Sequence, residues 1–472
     1  MTVHAFVLTA GLVADATGGR LIAGGTTRVF DRVVTDSRTM APALGTHGAG
    51  ALFIALSGPT FDGNDFAEQA IANGAAGVLV SRPLANAGHA AVILVDDTLE
   101  ALQQLGHSVR VRSGARVVAI TGSAGKTTTK EATATLLETK FRVYRNAGNF
   151  NNHWGLPLSL IELREGPEIA VVELGMNHAG EIRTLVHLAT PDVRVWTNVG
   201  NAHIGHFGSA DAIAEAKAEI LEDATADTLV VANADDERVM RHVKPFRGRR
   251  LTFGIEASAD VQAMRIEDHG FDGTTADVST PWGPLVLRLA VPGRANLMNV
   301  LAAATVALEA GVPVADVARV ASTLQPVDRR GSSVTLANGV RLIDDSYNAS
   351  PAAVRVTVQA LAATATQGRR IAVLGEMREL GDDAVRWHED CGRAVADAHL
   401  DLLVAVGGPA ADGLIAGAKA GGMSADQLQR FATSQEAAPA VAALVRAGDV
   451  VLVKGSRGTR TDVIADRLKE VA

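Results

Sequence analysis

The sequence predicts an α/β protein of three domains: a small α/β unit, a central parallel-sheet domain and a Rossmann-like C-terminal domain. The chain has 472 residues, too many for one ordinary hydrophobic core. Short apolar runs alternate with stretches of helical length, a pattern typical of parallel sheets covered by helices on both faces. The single cysteine, Cys391, excludes a fold held together by internal disulfides.

The overall composition narrows the class of protein. Hydrophobic residues make up 47% of the chain and charged residues 20%, as in globular proteins. A formal net charge of -8 provides no basic surface for nucleic acid. No apolar run reaches the ~18 residues of a membrane span, and the N-terminus lacks the basic flank of a signal peptide. We therefore expect a cytoplasmic protein with no nucleic-acid partner and no membrane span. We also expect a monomer.

Changes in pattern near residues 112 and 326 divide the chain into three blocks. We expect domains over residues 1–112, 113–325 and 326–472. In the first block, a helix is expected around residues 65–72, and short buried strands are predicted over residues 52–56, 77–80 and 92–95.

The second and third blocks both show strands separated by helix-length segments. Residues 251–292 differ from this pattern and are expected to form a β-rich appendage, whereas the Ala-rich residues 410–445 are expected to be surface helix. The predicted strands cover residues 117–120, 169–172, 193–196 and 229–232 in the second block, and 371–374, 402–406 and 450–453 in the third.

A glycine turn between a strand and a helix is the strongest functional feature. Gly122-Ser123-Ala124-Gly125-Lys126-Thr127-Thr128 precedes a helix predicted over residues 127–138. Backbone N–H groups at such a helix N-terminus converge on phosphate oxygens. Lys126 supplies a charge for the terminal phosphates and Thr127 a hydroxyl for Mg²⁺. Because Ile120 stands where the usual motif has a glycine, this is a shortened P-loop, and it predicts ATP with Mg²⁺ as cofactors.

Polar residues follow two of the central strands. Glu173 ends the run over residues 169–172, where an acidic side chain at the carboxyl end of a strand is a candidate Mg²⁺ ligand. His203 follows the next strand, and from the residues alone it is either a metal ligand or an ordinary histidine. Lys217 lies among glutamates on a helix expected over residues 211–223, which favours a solvated amphipathic face.

Further polar residues lie towards the end of the chain. Asn296 and Asn299 share a helix face, where their amides either hydrogen-bond a purine or cap the helix. Arg329 lies at the second domain boundary and can reach phosphate when domains close. Asp345 and Tyr347 follow a predicted strand, and the ring of Tyr347 can stack on a base.

The order of these motifs resembles the Mur ligase family of ATP-dependent amide-forming enzymes, over nearly the whole chain. The motifs are Gly-Ser-Ala-Gly-Lys-Thr-Thr, Glu-Leu-Gly-Met-Asn-His, Ala-His-(x)3-Phe-Gly-Ser, Asn-Leu-Met-Asn, Arg-Arg-Gly and Asp-Asp-Ser-Tyr-Asn-Ala-Ser-Pro. The resemblance implies an N-terminal UDP-binding domain, a central P-loop ATPase domain and a C-terminal Rossmann-like domain. Residues 146–152 and 375–381 resemble the branch that adds D-alanyl-D-alanine to UDP-N-acetylmuramoyl-tripeptide, through an acyl phosphate and a tetrahedral intermediate, in peptidoglycan synthesis.

The resemblance also implies roles for individual residues. It assigns catalysis to Lys126, Lys217, His203 and Arg329, with Lys217 as the lysine that the family carbamylates. It assigns metal binding to Thr127, Glu173, His203 and Lys217.

Other positions match the family's binding residues. The resemblance implies adenine contacts for Asn296, Asn299 and Tyr347, and a ribose or hinge role for Asp345. For the nucleotide-peptide substrate it implies contacts from Asp36, Ser37, Arg38, Asn149 and Asn152.

Two other functions remain open on the residues. One is another amide ligase of the family, which adds a single amino acid or resembles folylpolyglutamate synthase. The other is a regulator that binds a nucleotide without ligase chemistry. Glu173, His203, Lys217 and Arg329 together favour a ligase, since binding alone needs no second acidic or cationic set.

Overall fold

The computed structural model describes residues 4–39, 50–148, 150–200 and 207–471. The chain forms two compact units, one of Met1–Ile120 with Lys140–Arg194 and the other of Thr121–Thr139 with Val195–Ala472. Sheets occur in all three predicted blocks, so the α/β class is confirmed, while the predicted domain boundaries stay predictions. No helix among the described residues combines the length and apolar character needed to cross a bilayer.

The first unit begins with a six-stranded sheet in the order β1-β3-β4-β7-β8-β2. Its four central strands are parallel and its two outer strands antiparallel. The three strands predicted in this block are confirmed, and a small hairpin (β5, β6) was not foreseen. The strands are β1 Leu8–Thr9, β2 Arg20–Ala23, β3 Val29–Val34, β4 Gly50–Ile54, β5 Ser57–Gly58, β6 Phe61–Asp62, β7 Gly77–Val80 and β8 Ala91–Leu94.

Three helices accompany this sheet, and the third extends to the end of the block. The Asp97 side chain accepts hydrogen bonds from the Leu99 and Glu100 amides, which starts the third helix, and Gly114 ends it in a left-handed conformation. A β-carbon on Gly106 would lie 2.9 Å from the Pro157 Cα atom, so glycine permits close helix packing there. The helices are α1 Ala10–Thr17, α2 Ala67–Ala72 and α3 Thr98–Ser113.

The rest of the first unit contains three parallel strands in the order β10-β11-β9. The buried Arg110 on α3 donates to the Ala189 carbonyl at 2.8 Å and to Asp192 Oδ2 at 3.0 Å, which ties α3 to the end of a later helix. The elements are β9 Arg116–Thr121, β10 Val143–Arg145, β11 Ile169–Glu173, α5 Gly155–Ile161 and α6 Glu181–Ala189.

The second unit opens with the helix that follows the glycine turn and continues with strands in the order β12-β13-β14-β15-β16-β17. The last three strands are antiparallel, which confirms the predicted β-rich appendage. The elements are α4 Lys126–Leu137, β12 Val193–Trp196, α7 Ala210–Ala218, β13 Leu229–Asn233, α8 Glu237–Val243, β14 Arg249–Gly254, β15 Val261–Asp268, β16 Thr274–Ser279, β17 Leu285–Leu289, α9 Gly293–Glu309 and α10 Val314–Ala321.

The C-terminal part of this unit is a sheet in the order β18-β19-β23-β20-β21-β22, parallel except for β18. Hydrophobic clusters cover both faces, one under the first three helices and one under the last two. The elements are β18 Ser332–Thr335, β19 Arg341–Asp345, α11 Pro351–Ala363, β20 Arg370–Gly375, α12 Ala384–Asp397, β21 Leu402–Val406, α13 Asp412–Ala420, β22 Leu428–Phe431, α14 Ser434–Leu444, β23 Val450–Lys454 and α15 Asp462–Glu470.

One secondary-structure prediction was wrong. Residues 410–445 were expected to be surface helix, but they contain the edge strand β22 between two helices. All four residues of β22 are half-buried, and Gln429 and Arg430 break its apolar character. Because β22 lacks a buried apolar run, its sequence shows no hydrophobic pattern that would distinguish a strand from the helices on either side.

The β-rich appendage is joined to the C-terminal sheet within the second unit. The Phe271 amide donates to Thr364 Oγ1 at 2.9 Å, and the Phe271 ring lies in the hydrophobic cluster beneath α11. Arg341 donates to the Phe271 carbonyl at 2.7 Å and to Asp272 at 2.5 Å. The appendage therefore anchors the C-terminal sheet to the central strands of the same unit.

Candidate active site

The glycine turn has the strand–turn–helix context that its sequence predicts. Gly122 and Gly125 adopt φ angles of 155° and 79°, conformations that L side chains rarely adopt. Gly125 precedes the first turn of α4, and the Lys126 ammonium donates to the Gly122 carbonyl at 2.9 Å. The loop therefore places an ammonium group beside backbone amides at a helix N-terminus, the arrangement of a phosphate-binding loop.

Two residues at the end of β12 hold this loop in shape. The Thr197 hydroxyl donates to the Ala124 carbonyl at 2.9 Å. Asn198 makes two hydrogen bonds to the Ala124 backbone. Its Oδ1 atom accepts from the Ala124 amide at 2.9 Å, and its Nδ2 atom donates to the Ala124 carbonyl at 3.0 Å. Neither residue was predicted to have a role, although their place at the carboxyl end of a parallel strand is a sequence signal for one.

The predicted adenine-binding asparagines have different environments. Asn299 is only 8% exposed on α9, and its Oδ1 atom accepts from the Thr129 hydroxyl of α4 at 3.3 Å. Asn296 is half-buried and donates to the Pro292 carbonyl at 2.8 Å, as a local helix-start contact. Asn299 thus lies against the phosphate loop, and the two amides do not act on one partner here.

Glu173 ends β11 in the first unit and is 3% exposed. Its Oε1 atom accepts from Asn151 Nδ2 at 2.8 Å, and its amide donates to Asn146 Oδ1 at 3.1 Å. Asn152, a predicted substrate contact, caps the Gly155 amide at 2.8 Å, whereas Asn149 lies outside the described residues. Asn146 and Asn151 were not predicted, although the asparagine-rich run that contains them was noted.

The burial of Lys217 differs from the solvent exposure expected from its acidic neighbours. Glutamates around it favoured a solvated helix face, but Lys217 is 3% exposed on α7. The apolar residues Ile213 and Ala214 are buried on the same short helix, so this face packs inward. A buried lysine side chain is uncommon, so its position points to a specific structural or chemical role.

The predicted nucleotide-sugar contacts form a compact turn in the first unit. The Arg38 guanidinium donates to Asp36 Oδ1 at 2.9 Å and to Oδ2 at 2.7 Å. These side-chain bonds, with a further bond from the Arg38 amide, lower the pKa of Asp36 to about 2. Ser37 is buried between them, while the Arg38 side chain remains exposed, so the turn is pre-ordered and presents a cation.

The arginine predicted to reach phosphate is held by two carboxylates. Arg329 adopts a φ angle of 57°, and its guanidinium lies 2.9 Å from Asp462 and 3.0 Å from Asp466, both on α15. Partial burial acts to lower the pKa of Arg329, but Asp466 and Asp462 outweigh it and raise the pKa. In this conformation Arg329 ties the start of the C-terminal block to its last helix.

The neighbouring Arg330 has a different environment. Its guanidinium lies 4.1 Å from the centroid of the Tyr347 ring, a cation–π contact that covers one ring face. Asp345 lies in a buried ion pair with Lys454 at 2.7 Å. Burial raises the pKa of Asp345 although Lys454 opposes the shift. The ion pair joins the ends of β19 and β23 within one sheet.

The loops after β20 and β23 are tied together at one edge of the C-terminal sheet. The Arg378 amide donates to Ser456 Oγ at 3.0 Å, and the Thr459 hydroxyl donates to the Glu376 carbonyl at 2.9 Å. The buried His388 accepts from the Met377 amide at 2.8 Å through Nε2. The strand order reverses between β20 and β23, where ligands bind in open α/β sheets.

Comparison with known proteins agrees with this arrangement. Three family models match consecutive parts of the chain: the Mur ligase family catalytic domain over residues 30–124, the Mur ligase middle domain over 120–307, and the Mur ligase glutamate ligase domain over 329–457. The chain belongs to the Mur ligase family.

Individual Mur ligases match along nearly the full chain. The UDP-N-acetylmuramoyl-tripeptide--D-alanyl-D-alanine ligase of Bacillus subtilis is 35% identical over 94% of both chains. A crystal structure of MurF from Acinetobacter baumannii is 33% identical, covers 99% of this chain and 100% of its own, and has a TM-score of 0.88. MurF ligase from Thermotoga maritima in complex with ADP is 30% identical, covers 93% and 97%, and has a TM-score of 0.78.

The side chains of two candidate metal ligands are chemically suited to a divalent cation. Thr127 and Glu173 are oxygen donors, the type that Mg²⁺ prefers. Within the described residues, no three His, Cys, Asp or Glu side chains gather as a metal site. His203 lies outside those residues. Thr127 and Glu173 can each supply an oxygen ligand, and Mg²⁺ commonly takes its other ligands from water and phosphate oxygens.

Proposed function

We propose that this Mur ligase joins D-alanyl-D-alanine to UDP-N-acetylmuramoyl-tripeptide at the expense of ATP, forming the pentapeptide precursor of peptidoglycan. The observation that carries the proposal is the Lys126 loop at the start of α4, in a chain that matches the Bacillus subtilis ligase over 94% of its length. The ADP-bound Thermotoga maritima relative supports nucleotide use.

The chemistry follows from the weakness of a carboxylate as an acyl donor. A peptide carboxylate oxygen attacks the γ-phosphorus of ATP, the bond from that phosphorus to the β–γ bridging oxygen breaks, and ADP leaves. The amine of D-alanyl-D-alanine then attacks the acyl carbon to form a tetrahedral intermediate. That intermediate collapses with loss of phosphate, and the amine loses a proton.

Lys126 and Arg329 contribute positive charge where negative charge gathers on the transferred phosphoryl group. For Arg329 this role requires release from Asp462 and Asp466. Thr127 and Glu173 would hold Mg²⁺, which neutralises charge on the phosphate oxygens when bound.

Lys217 and His203 complete the proposed catalytic set. Carbamylation joins the Lys217 amine nitrogen to the carbon of CO₂ with loss of a proton, and it converts a buried cation into a carboxylate. The 3% exposure of Lys217 supports a role inside the site rather than on the surface. His203 is assigned to metal binding from the family motif alone.

The remaining residues bind the two nucleotides. Asn296, Asn299 and Tyr347 are assigned to the adenine end of ATP, with Asp345 at the ribose or at the hinge. For the nucleotide-peptide, the assigned residues are Asp36, Ser37, Arg38, Asn149 and Asn152.

The experiment that tests this function measures phosphate release from ATP with UDP-N-acetylmuramoyl-tripeptide and different amines. Release that depends on D-alanyl-D-alanine, with a product of pentapeptide mass, is expected. Release with a single amino acid would assign the chain to a sister ligase, and no release with any amine would contradict ligase activity on this acyl substrate. A monomeric state and a cytoplasmic location remain predictions, and light scattering coupled to size exclusion tests the first.

A further inference from the structure

In the first unit, a loop described over residues 146–148 and 150–155 bonds to the Glu173 side chain, to the Glu173 amide and to the amide of Gly175. Asn151 Nδ2 donates to Glu173 Oε1 at 2.8 Å, and Asn146 Oδ1 accepts from the Glu173 amide at 3.1 Å. The Asn151 carbonyl accepts from the Gly175 amide at 2.8 Å. The carboxylate and its backbone are therefore braced by one short loop.

The loop is itself ordered by polar contacts. Asn146 Nδ2 donates to the Phe150 carbonyl at 3.3 Å, and Asn152 caps the Gly155 amide. From α3, Gln103 donates to the His153 carbonyl at 2.9 Å. Asn151, which bonds to the Glu173 carboxylate, therefore lies between residues whose backbone is held by these contacts.

The outer side of the same loop is suited to contact a ligand. Phe150 and Trp154 form a tilted aromatic pair with ring centroids 6.1 Å apart, and they remain 40% and 38% exposed. An exposed aromatic pair offers rigid apolar surface against which a ligand can pack. Phe150 directly precedes Asn151, so a ligand on the aromatic pair would bear on the residue that orients Glu173.

We propose that Asn151 is a positioning residue that couples this loop to Glu173, so that the nucleotide-peptide substrate and the divalent cation bind cooperatively. The inference rests on the proposed function for the identity of the substrate. An amide donor on Oε1 fixes the plane of the carboxylate, as outer-shell partners of metal ligands do. By linkage, a substrate that stabilises the loop raises the affinity for the cation by the same factor as the cation raises affinity for the substrate.

A substitution at Gly175 provides a second way to disturb the hydrogen bond between Asn151 and Glu173. A β-carbon on Gly175 would lie 2.9 Å from Asn151 Cγ and 3.0 Å from Nδ2. Gly175→Ala therefore displaces the amide while leaving Asn151 in the chain. Gln103→Ala is the matched control, because Gln103 tethers the same loop but bonds to His153 rather than to Glu173.

The test uses Mn²⁺ as the probe and measures its binding by electron paramagnetic resonance, with and without UDP-N-acetylmuramoyl-tripeptide. In the parent protein, the substrate should increase Mn²⁺ affinity. Asn151→Ala should weaken Mn²⁺ binding by ~10–100-fold, the loss typical of removing such a partner, and abolish the increase. Gly175→Ala should act in the same direction, whereas Gln103→Ala should retain both properties.

Several outcomes would overturn the inference. Parent-like Mn²⁺ affinity in folded Asn151→Ala would show that the amide does not orient Glu173, and equal losses in Gln103→Ala would show a general effect of loosening the loop. If Asn151→Ala does not fold, Gly175→Ala decides between these outcomes. Failure of the parent to bind the UDP substrate would contradict the proposed function, while the Mn²⁺ titrations without substrate would still test the role of Asn151.

Discussion

Asn299 Oδ1 lies 2.1 Å from the position that a β-carbon on Gly125 would occupy. The same oxygen accepts a hydrogen bond from the Thr129 hydroxyl near the start of α4. One amide side chain of α9 therefore packs against both the phosphate loop and the helix that follows it. This contact explains why a glycine is required at residue 125 beyond its φ angle of 79°. It also gives Asn299 a structural task that its helical spacing with Asn296 does not reveal.

Gly125→Ala should remove nucleotide binding. The substitution combines a left-handed conformation, which costs ~1–3 kcal/mol for a residue other than glycine, with a clash against Asn299. The measurement is the affinity for a fluorescent ADP analogue, together with the thermal midpoint. Gly200→Ala is the control, because its β-carbon would meet Ser123 only at 3.5 Å. Parent-like affinity in Gly125→Ala would contradict this account of the loop.

Arg329→Ala and Asp466→Asn separate the two roles of the arginine. The Arg329–Asp466 pair is partly exposed, so losing it should lower the free energy of unfolding by at most ~1 kcal/mol. If Arg329 also supports phosphoryl transfer, Arg329→Ala should lower kcat/KM for ATP by tenfold or more, roughly 1.4 kcal/mol, while Asp466→Asn retains turnover. Steady-state kinetics and urea unfolding measure the two effects. Equal kinetic losses in both variants would limit Arg329 to a structural role.

Lys217→Met should lose turnover. The side chains are similar in size, so the buried volume is retained, but removing one member of a buried polar contact lowers stability, and the thermal midpoint is therefore measured beside turnover. We expect kcat to fall by about 100-fold, the upper range for loss of a residue that supports a metal site. A carbonyl signal from ¹³C-labelled CO₂ should appear in the parent protein and be absent from the variant. Glu215→Gln, an exposed change on the same helix, should leave both properties intact.

His388 should make the stability of the C-terminal sheet depend on pH. Burial lowers the pKa of His388, while the unfolded chain takes up a proton near pH ~6.5. The stabilising contribution is therefore fully present above the unfolded pKa, and it is lost as the pH falls towards the lower folded pKa. The urea midpoint should drop between about pH 7.5 and 5.5. His388→Gln should show a smaller drop, and an unchanged pH dependence in that variant would contradict the assignment.

The sequence pattern correctly predicted those elements whose geometry depends on residues adjacent in the chain. The phosphate loop is one, because two glycines, a lysine and a following helix start are contiguous in the chain. The parallel strands are another, because strands buried on both faces need continuous apolar runs such as Val117 to Ile120. The outer strands β1 and β2 escaped prediction because they are short, with two and four residues, and the edge strand β22 escaped it because Gln429 and Arg430 interrupt its apolar character.

The sequence by itself therefore determined the α/β class, the nucleotide loop and Glu173 at a strand end, and its family resemblance singled out Lys217. Only the tertiary structure decided what these side chains contact. Asp466 lies 137 residues from Arg329, and Asn299 lies 170 residues from Thr129. Lys217 is buried despite its acidic neighbours. The physical reason is that burial and partner choice are set by which distant segments the sheets bring together, and no local periodicity encodes that choice.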